Sequence, residues 1–257
     1  MTTLRVENLS VALDHRVVVD GVSFTAKAGE LIGLIGANGV GKSTLLRAIA
    51  GVTPIAAGDI AIDQASASGM AGKERARSVA FLPQGQTVHW PIDVHQLTAL
   101  GRLPHLAPLS RISPEDEAAI AAAMRRADVD QFADRQANLL SAGERARVLL
   151  ARALAVEAPI LLADEPTAAL DPLHQLQVMT LLADLAREGR LVIVVLHDLA
   201  LAARFCERLL LMDEGRILAD GPPSQVLTPD NLAKAYGVEA YFAERDGRPI
   251  VLPWRPV

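Results

Sequence analysis

Four short apolar runs mark the chain at wide intervals. They are Leu31–Ile35, Val79–Leu82, residues 160–163 and residues 191–196. Strands that helices cover on both faces have this pattern, because neither face of the strand meets water. The four runs therefore predict the strands of a largely parallel β-sheet.

A looser alternation of apolar and polar residues precedes the first run. Within residues 4–30, valine-rich stretches separated by Asp20-Gly21 predict antiparallel strands. Ile60-Ala61-Ile62 predicts one more strand. Near the other end, residues 209–219 have Asp213-Glu214-Gly215 at their centre, which predicts a β-hairpin.

Helical patterns dominate the middle of the chain. Strand patterns disappear from Gly85 to about Asn138, and Pro114 opens an acidic first turn of a predicted helix. A second strong helix is predicted from Ser141 to Val156. A last helix is predicted to begin at Thr228-Pro229, and we expect a loose end after it. The middle segment is therefore predicted to be a helical lobe inserted into an α/β core.

Composition narrows the class of protein. The chain has 257 residues, 51% hydrophobic and 4% aromatic, which predicts an ample aliphatic core. The formal net charge of −5 argues against nucleic-acid binding by bulk electrostatics. The single cysteine, Cys206, falls in an apolar helical pattern, so we expect a small core residue in a reducing compartment. Because no apolar run reaches the ~18 residues of a membrane span, and no signal pattern opens the chain, we expect a soluble, cytoplasmic protein.

The segment after the first apolar run carries the most specific chemistry. Residues 36–43 fit the pattern G-x-x-x-x-G-K-[ST], with a predicted strand before them and a helical pattern after them. Glycines let backbone N–H groups surround a polyphosphate, and the helix start adds donors and a positive dipole end. We expect Lys42 to reach the β- and γ-phosphates and Ser43 to bind Mg²⁺. The residues predicted to bind a nucleoside triphosphate here are Gly36, Ala37, Asn38, Gly39, Val40, Gly41, Lys42, Ser43 and Thr44.

Two carboxylates follow the third apolar run. Its strand is expected to carry Asp164 and Glu165 to the carboxyl edge of a parallel sheet, where ligands bind in such sheets. There Asp164 can hold Mg²⁺, and Glu165 can polarise an attacking water. A solvated turn is the structural alternative, but the phosphate loop upstream favours the functional interpretation.

Other positions have a structural interpretation when taken singly. Ser141 and Glu144 fit a capping box, and Asp171-Pro172 fits a helix N-cap followed by proline. Gln84 and His197 each end a predicted strand, where an ordinary polar residue is common. Their occurrence together, in this order, favours a shared function.

These motifs resemble those of the ATP-binding subunits of ATP-binding cassette (ABC) transporters, over about residues 4–235. In chain order the matching segments are residues 36–44 (Walker A), Gln84 (Q-loop), residues 140–144 (signature), Asp164-Glu165 (Walker B), Ala169-Leu170-Asp171 (D-loop) and His197 (switch histidine). The resemblance implies an α/β fold with a P-loop NTPase (ABC ATPase) core, an antiparallel β subdomain and an inserted α-helical subdomain.

The resemblance also gives the expected division of the chain. Residues 1–84 and 157–220 are expected to form a RecA-like core with the β subdomain, and residues 85–156 the helical subdomain. Residues 221–257 are then a C-terminal extension of a single nucleotide-binding domain.

A head-to-tail dimer follows from the same resemblance. ATP is expected to lie between the Walker A loop of one copy and Ser141 and Gly143 of the other. Physically, the N-terminal donors of the capping-box helix would then face the γ-phosphate. Asp171 is counted among the nucleotide-binding candidates, and a lone protomer is expected to hydrolyse ATP poorly.

Catalytic roles are carried over in the same way. Glu165, His197 and Gln84 are the expected catalytic residues, with His197 contacting the γ-phosphate and the attacking water. Ser43, Gln84 and Asp164 are the expected metal-binding residues. The cofactors implied are ATP and Mg²⁺, and the reaction is ATP + H₂O → ADP + phosphate.

Two departures from the family pattern are present. Ala142 replaces the first glycine of the signature, which leaves the donors at Ser141 and Gly143 in place. The adenine-stacking aromatic expected near Leu13 is missing, so His15 or Arg16 becomes the candidate to stack on the base.

Segments outside these motifs favour a subfamily. Three segments are similar to importers of iron chelates, haem and cobalamin: Leu100-Gly101-Arg102-Leu103-Pro104-His105, residues 111–116, and residues 221–228 through Tyr236-Gly237. A generic loop of the helical lobe is the alternative for these segments.

This resemblance implies an ATPase that powers uptake of an iron–siderophore, haem or cobalamin type substrate. The expected partners are a second copy, two transmembrane permease subunits and, indirectly, a periplasmic or lipoprotein substrate-binding protein, with no nucleic acid. The expected place is the cytoplasmic face of the inner (cell) membrane, peripherally bound. Residues 88–92 fit a docking surface for a permease helix, although Trp90 could instead belong to the core.

The alternative is a soluble ABC-type ATPase acting on DNA or ribosomes, since such proteins carry similar signatures. They usually insert long coiled-coil arms or pair two cassettes in one chain, and this sequence shows neither. Export also stays open on physical grounds.

Overall fold

The computed structural model of the chain describes residues 1–85, 88–107, 110–168 and 170–257. In chain order the strands are β1 (Thr3–Leu13), β2 (Arg16–Lys27), β3 (Leu31–Ile35), β4 (Ala57–Ile62), β5 (Ala65–Ser66), β6 (Val79–Leu82), β7 (Ile160–Asp164), β8 (Leu191–Val195), β9 (Arg208–Asp213), β10 (Arg216–Gly221), β11 (Val238–Arg245) and β12 (Arg248–Pro256). The helices are α1 (Lys42–Ala50), α2 (Gly72–Ser78), α3 (Val94–Ala99), α4 (Pro114–Arg126), α5 (Ala142–Leu154), α6 (Pro172–Arg187), α7 (Leu199–Phe205), α8 (Pro223–Val226) and α9 (Pro229–Tyr236).

The central sheet has the strand order β10-β9-β3-β8-β7-β6. Strands β9, β3, β8, β7 and β6 run parallel, and β10 pairs antiparallel with β9 as the predicted hairpin. The four apolar runs are confirmed as β3, β6, β7 and β8. Since parallel strands end at one common edge, the segments after these strands lie along the same rim of the sheet.

Each face of this sheet belongs to a different apolar core. In β8, Leu191, Ile193 and Val195 pack in one core, while Val192 and Val194 pack in the other. Helix α1 and the strands β1, β2 and β4 cover the first face; α5, α6 and α7 cover the second. Burial on both faces is the reason that these strands show no polar alternation.

The antiparallel β segment predicted ahead of the phosphate loop is confirmed. It is a separate sheet with the order β2-β1-β4-β5. Its inward residues alternate with exposed ones, as Val6 and Phe24 do where they face each other across β1 and β2. The sheet therefore packs one face on the core and leaves the other to solvent.

Helices α3, α4 and α5, here called the helical lobe, lie between β6 and β7 in the chain. Ser113 caps α4 through a capping box with Asp116, so the acidic first turn predicted at Pro114 is confirmed. Buried residues of all three helices join the core on the second face of the sheet; they include Val94, Ile120 and Val148.

The end of the chain differs from the prediction. The loose end expected after the last helix is wrong, because β11 and β12 form an antiparallel hairpin. Asp246 and Gly247 connect them, both with positive φ (54° and 72°), the geometry of a tight hairpin turn. Val251 of β12 is fully buried and anchors the hairpin on the body of the protein.

Two further details refine the prediction. Helix α2 has no fully buried residue, so it left no apolar periodicity in the sequence. Cys206 lies just after α7 rather than inside a helix; it is buried, and burial raises the pKa of its thiol to about 12, as suits a core residue. Among the described helices, none is both long and apolar enough to cross a bilayer.

Candidate active site

The phosphate loop joins the central strand β3 to helix α1. Gly36 has a φ of 144°, and a Cβ at this position would lie 2.3 Å from the backbone oxygen of Met212. Only glycine therefore fits where the loop leaves the sheet. Helix α1 begins at Lys42 with no side-chain cap, so side chains do not occupy the N–H groups of its first turn. Those donors and the helix dipole suit an anion.

Lys42 lies inside this loop. Its side chain is buried, and its Nζ donates to the carbonyl oxygens of Gly36 (2.8 Å) and Ala37 (2.7 Å). Burial lowers the pKa of Lys42, while the nearby carboxylates of Glu165 and Asp164 act in the opposite direction. The loop thus holds one cation next to its own backbone donors.

Ser43 and Asp164 form a direct link between the loop and β7. The Ser43 hydroxyl donates to Asp164 Oδ1 at 2.9 Å. Asp164 Oδ2 is buried and has no hydrogen-bond partner within the described part of the chain. Burial raises the pKa of Asp164, and the hydrogen bond from Ser43 opposes that shift.

The same pair fits a magnesium ion. A hydroxyl and a carboxylate with a free buried oxygen are hard oxygen ligands, which Mg²⁺ prefers. In the described residues no group of three or more His, Cys, Asp or Glu side chains could hold a metal. A site with two protein oxygens is typical of Mg²⁺ bound together with substrate phosphates.

Glu165 stands at the centre of the predicted catalytic residues. Gln84 Nε2 donates to Glu165 Oε2 at 2.5 Å, and His197 Nε2 contacts Glu165 Oε1. These three residues follow the neighbouring strands β6, β7 and β8, so the sheet itself brings them together. Glu165 has a φ of 52°, a left-handed conformation that costs a non-glycine residue about 1–3 kcal/mol. The strained backbone thus coincides with the residue whose carboxylate contacts Gln84 and His197.

The signature residues lie apart from this cluster, at the N-terminus of α5. Ser141 is the N-cap: its Oγ accepts from the Glu144 N–H at 3.2 Å, and Glu144 Oε2 accepts from the Ser141 N–H at 2.8 Å. Hydrogen bonding to the Ser141 N–H lowers the pKa of Glu144. Ser141 is exposed, and no hydrogen bond found between described residues ties it or Gly143 to the phosphate loop of its own chain. The structure thus has the capping box and leaves the helix start facing outward.

The D-loop match is only partly described. Ala169 lies outside the described residues. Asp171 is the N-cap of α6, where Oδ1 accepts from the His174 N–H at 3.0 Å and Oδ2 lies 2.6 Å from His174 Nδ1. The His174 N–H lowers the pKa of Asp171. The structural role expected from Asp171-Pro172 is thus present, and contact with nucleotide stays a prediction.

The region where adenine would stack is exposed to solvent. His15 and Arg16 are both exposed at the turn between β1 and β2, next to Leu13. No aromatic side chain stands at positions 12–17. The two candidates predicted from sequence therefore remain candidates.

No pattern in the sequence predicted that Tyr236 is a neighbour of the phosphate loop. Its hydroxyl is buried without a well-formed hydrogen bond to any described residue, although the Gly36 N–H lies close enough to favour the phenolate. Burial outweighs that effect and raises the pKa of Tyr236 to about 12. Only the packing of α9 brings this residue next to Gly36.

A cleft of 1320 Å³ lies elsewhere, between α6, α7, α8 and the β11–β12 hairpin. None of the predicted site residues lines it. Because the phosphate loop, the buried Asp164 and the Glu165 cluster carry the chemistry, the candidate site is at the sheet rim and not in this cleft.

Comparisons with known proteins agree with the motifs. The ABC transporter family model matches residues 19–168. The hemin import ATP-binding protein of Streptomyces coelicolor is 46% identical over 96% of this chain and 88% of its own. That of Pseudomonas aeruginosa is 41% identical over 97% and 99%. The cobalamin import ATP-binding protein of Halobacterium salinarum is 42% identical over 91% of this chain and 58% of its own.

Solved structures show the same fold. An inward-facing, putative metal-chelate type ABC transporter has a TM-score of 0.86 and 26% identity, covering 99% of this chain and 98% of that one. A dimeric ATP-binding cassette in a post-hydrolysis state, bound to ADP and Pi, has a TM-score of 0.75 and 29% identity over 86% and 98%.

Proposed function

Because this chain belongs to the ABC transporter family, we propose that it is the ATP-hydrolysing subunit of an importer for a metal–chelate substrate. The substrate classes are those of its relatives and of the subfamily segments: haem, cobalamin or an iron–siderophore. The reaction is ATP + H₂O → ADP + phosphate, and its energy drives transport through partner subunits.

One observation carries the enzymatic part of this proposal. Gln84 and His197 converge on the two oxygens of Glu165, beside a phosphate loop that contains Lys42. A carboxylate with both oxygens oriented is placed to take a proton from a water molecule. The nucleotide supplies the γ-phosphate that this water attacks.

The proposed mechanism uses groups already in place. Water attacks the γ-phosphorus in line with the bond to the β-phosphate oxygen, and the electrons of that bond leave with ADP. Glu165 takes the proton of the water, while Gln84 and His197 hold the carboxylate. Lys42 and the N–H groups of α1 offset the negative charge of the phosphates.

Magnesium has a specific place in the proposal. Ser43 and the free oxygen of Asp164 would hold the ion, with Gln84 close by through its contact with Glu165. When bound, Mg²⁺ neutralises charge on the β- and γ-phosphates.

A dimer completes the site. We propose that Ser141 and Gly143 of one copy bind ATP held by the phosphate loop of the other, in a head-to-tail pair. The exposed Ser141 supports this, because no hydrogen bond between described residues ties it to the phosphate loop of its own chain. Closure of the pair would also exclude water around the phosphates. The division into residues 1–84 with 157–220, 85–156 and 221–257 belongs to the same proposal.

The permease subunits are proposed to bind the helical lobe. The segment at residues 88–92 exposes Trp90, whose exposed fraction is 73%, so the core alternative for this residue is wrong. Leu103 of the subfamily segment is also exposed, at 59%. Apolar side chains on such a surface suit an apolar helix from a membrane protein. This would place the chain peripherally on the cytoplasmic face of the inner membrane, with a substrate-binding protein as an indirect partner.

Glu165→Gln tests the enzymatic part. It keeps the size of the side chain and one oxygen acceptor but removes the base, so kcat should fall at least about 100-fold while ATP still binds. The matched control is Glu188→Gln, which removes a carboxylate from an exposed ion pair with Arg126 and should hydrolyse normally. Turnover by Glu165→Gln at the rate of the control would remove Glu165 from this role.

Transport requires a separate experiment. The chain is purified together with the membrane proteins that accompany it, and the complex is placed in vesicles. Uptake into the vesicles is then measured in turn for haem, cobalamin and a ferric siderophore. ATP-dependent accumulation of one of them supports the importer. Co-purification with ribosomes or DNA, and without a permease, would favour the alternative of a soluble ATPase acting on DNA or ribosomes. No described feature of the structure supports that alternative.

A further inference from the structure

Helix α2 binds the end of the phosphate-loop helix. Arg75 Nη2 donates to the carbonyl oxygens of Ala48 (2.9 Å) and Ile49 (2.8 Å), in the last turn of α1. A cation is favourable there, because the last carbonyls of a helix lack intrahelical partners and carry the negative end of the dipole. Helix α2 is thereby fixed to the helix that begins at Lys42.

The same short helix also holds the segment Leu100–Leu106. Arg77 Nε donates to the Pro104 carbonyl at 2.8 Å, and Lys73 Nζ donates to the Leu106 carbonyl. Both side chains are exposed, so these contacts add little apolar burial.

Arg102 of that segment reaches the far end of the signature helix. Its Nη1 donates to the Ala155 carbonyl (2.7 Å) and to Glu157 Oε2 (2.7 Å), and its Nε donates to Asp116 Oδ1 (2.8 Å). Only 7% of the Arg102 side chain is exposed. One buried guanidinium thus joins the C-terminal end of α5 to the first turn of α4.

Two more contacts hold the same place. His105 Nε2 lies 2.8 Å from the Val156 carbonyl oxygen. A Cβ at Gly101 would lie 2.2 Å from the Arg152 carbonyl oxygen, so only glycine allows this approach to α5. Leu100–Leu106 therefore lies against the end of α5 with its position fixed by backbone contacts.

We propose that Arg77 and Arg102 are positioning residues, which hold the signature helix at a fixed place relative to the phosphate-loop helix. They act through Leu100–Leu106, here called the strap, and this rests on the proposed function. Helix α2 contacts the end of α1 through Arg75 and the strap through Arg77, and the strap contacts the end of α5. The N-terminal ends of α1 and α5 carry Lys42 and Ser141. Because a helix is rigid and hydrogen bonds are directional, contacts at the C-terminal ends limit how far the N-terminal ends can shift relative to each other.

Packing of the apolar core alone would hold the signature helix in position less tightly. Buried apolar residues of the helical lobe pack on the sheet, and such packing is non-directional. Hydrogen bonds to specific carbonyl oxygens are directional, so they oppose sliding of one helix past another. Loss of the strap should therefore leave ATP binding to the phosphate loop intact and impair the step that needs Ser141.

The test is the double variant Lys73→Ala/Arg77→Ala in the full chain. Two directional hydrogen bonds are lost, so we expect kcat to fall about three- to tenfold and KM for ATP to change less than about twofold. The melting temperature should stay within about 2 °C, because both side chains are exposed. The single variant Arg77→Lys, which keeps a cationic donor at this position, should have most of the kcat of the wild-type chain.

The matched control is Arg255→Ala. It removes an exposed arginine that pairs with Glu239 on the hairpin, far from the strap, and should change neither kcat nor stability. An unchanged kcat in the double variant overturns the proposal. A fall in kcat that is accompanied by a melting temperature more than about 2 °C lower also overturns it. So does a fall in kcat that Arg255→Ala shows as well.

A second measurement does not depend on hydrolysis. Spin labels on Val52→Cys, after α1, and Leu139→Cys, before α5, report the distance between the core and the helical lobe; the buried Cys206 should stay unlabelled. The double variant should broaden the distance distribution, and an identical distribution would overturn the proposal. If the wild-type chain hydrolyses no ATP, the proposed function fails, and this measurement still decides on the strap.

Discussion

At the scale of single residues, the site contains two acidic residues whose conformation or burial is unfavourable for folding. Asp164 is a buried acid with one unpaired oxygen, and burial raises its pKa. Glu165 has a left-handed backbone. Neither feature stabilises the isolated chain, and both suit a ligand that brings positive charge and phosphate. Function is therefore the simplest reason for their presence.

Asp164→Asn separates stability from function. The amide keeps an acceptor for the Ser43 hydroxyl but removes the buried charge, so the melting temperature without nucleotide should rise by a few degrees. Mg²⁺-dependent hydrolysis should fall at least about 100-fold. Calorimetry and a phosphate-release assay would measure the two effects.

Asp59→Asn is the control, because Asp59 also accepts from a serine, Ser66, at 2.7 Å but in an exposed place. It should alter neither quantity. A lower melting temperature for Asp164→Asn would contradict the view that this charge is costly in the folded chain.

At the scale of elements, the helix termini carry much of the organisation. Ser113 and Ser141 close capping boxes on α4 and α5, and Asp171 and Thr228 cap α6 and α9. Each such cap stabilises by about 1 kcal/mol. The start of α1 has no side-chain cap, which leaves its donors for a ligand.

The first turn of α4 should make the helical lobe sensitive to acid. The Ser113 N–H, and then Arg102, lower the pKa of Asp116. A lowered pKa means that the stabilisation is present above the unfolded value of about 3.9 and is lost as pH falls through the folded value. Asp116→Asn should therefore destabilise the chain by about 2 kcal/mol at pH 7.

The pH dependence is the decisive measurement for Asp116. The difference in unfolding free energy between wild type and Asp116→Asn should be constant at neutral pH and should shrink as the acid is titrated below about pH 4. Asp130→Asn, on an exposed 3-10 turn, is the control. A difference that grows in acid would have the wrong sign.

At the scale of the whole molecule, the two chemical halves of the site are on different lobes. The phosphate loop belongs to the central sheet, and Ser141 stands at the outer end of the helical lobe. Among the described contacts, none joins Ser141 to the phosphate loop of its own chain. A second copy is therefore the simplest way to bring a signature helix to a phosphate.

This arrangement predicts a concentration-dependent enzyme. If hydrolysis needs two copies, as proposed, the rate per protomer should rise with protein concentration and level off when dimers dominate. ATP binding measured at the same concentrations should vary much less. A rate per protomer that is constant down to nanomolar protein would show that a single copy is competent.

Local patterns in the sequence predicted most of the fold and the site. Strands β3, β6, β7 and β8 are buried on both faces, so each appears in the sequence as an apolar run. The phosphate loop is a contiguous motif, and its glycines and lysine contact backbone groups close by in the chain. The resemblance then assigned Gln84, Glu165 and His197 to one centre. Their contacts in the structure agree with that grouping, although their chemical roles stay predictions.

The C-terminal hairpin shows how a local signal can be missed. Asp246-Gly247 is a strong turn signal, but prolines and charged residues interrupt the alternation of the flanking strands. Helix α2 has an even weaker signal in the sequence, because none of its side chains is fully buried.

What the sequence determined by itself is what depends on neighbours along the chain: the sheet strands, the helix caps and the phosphate loop. Only the tertiary structure decided that Arg77 reaches Pro104, that Arg102 joins Ala155 to Asp116, and that Tyr236 lies beside Gly36. These contacts link residues distant in the chain through side chains whose type alone does not specify a partner. A long-range contact depends on how whole elements pack, and periodicity describes only one element at a time.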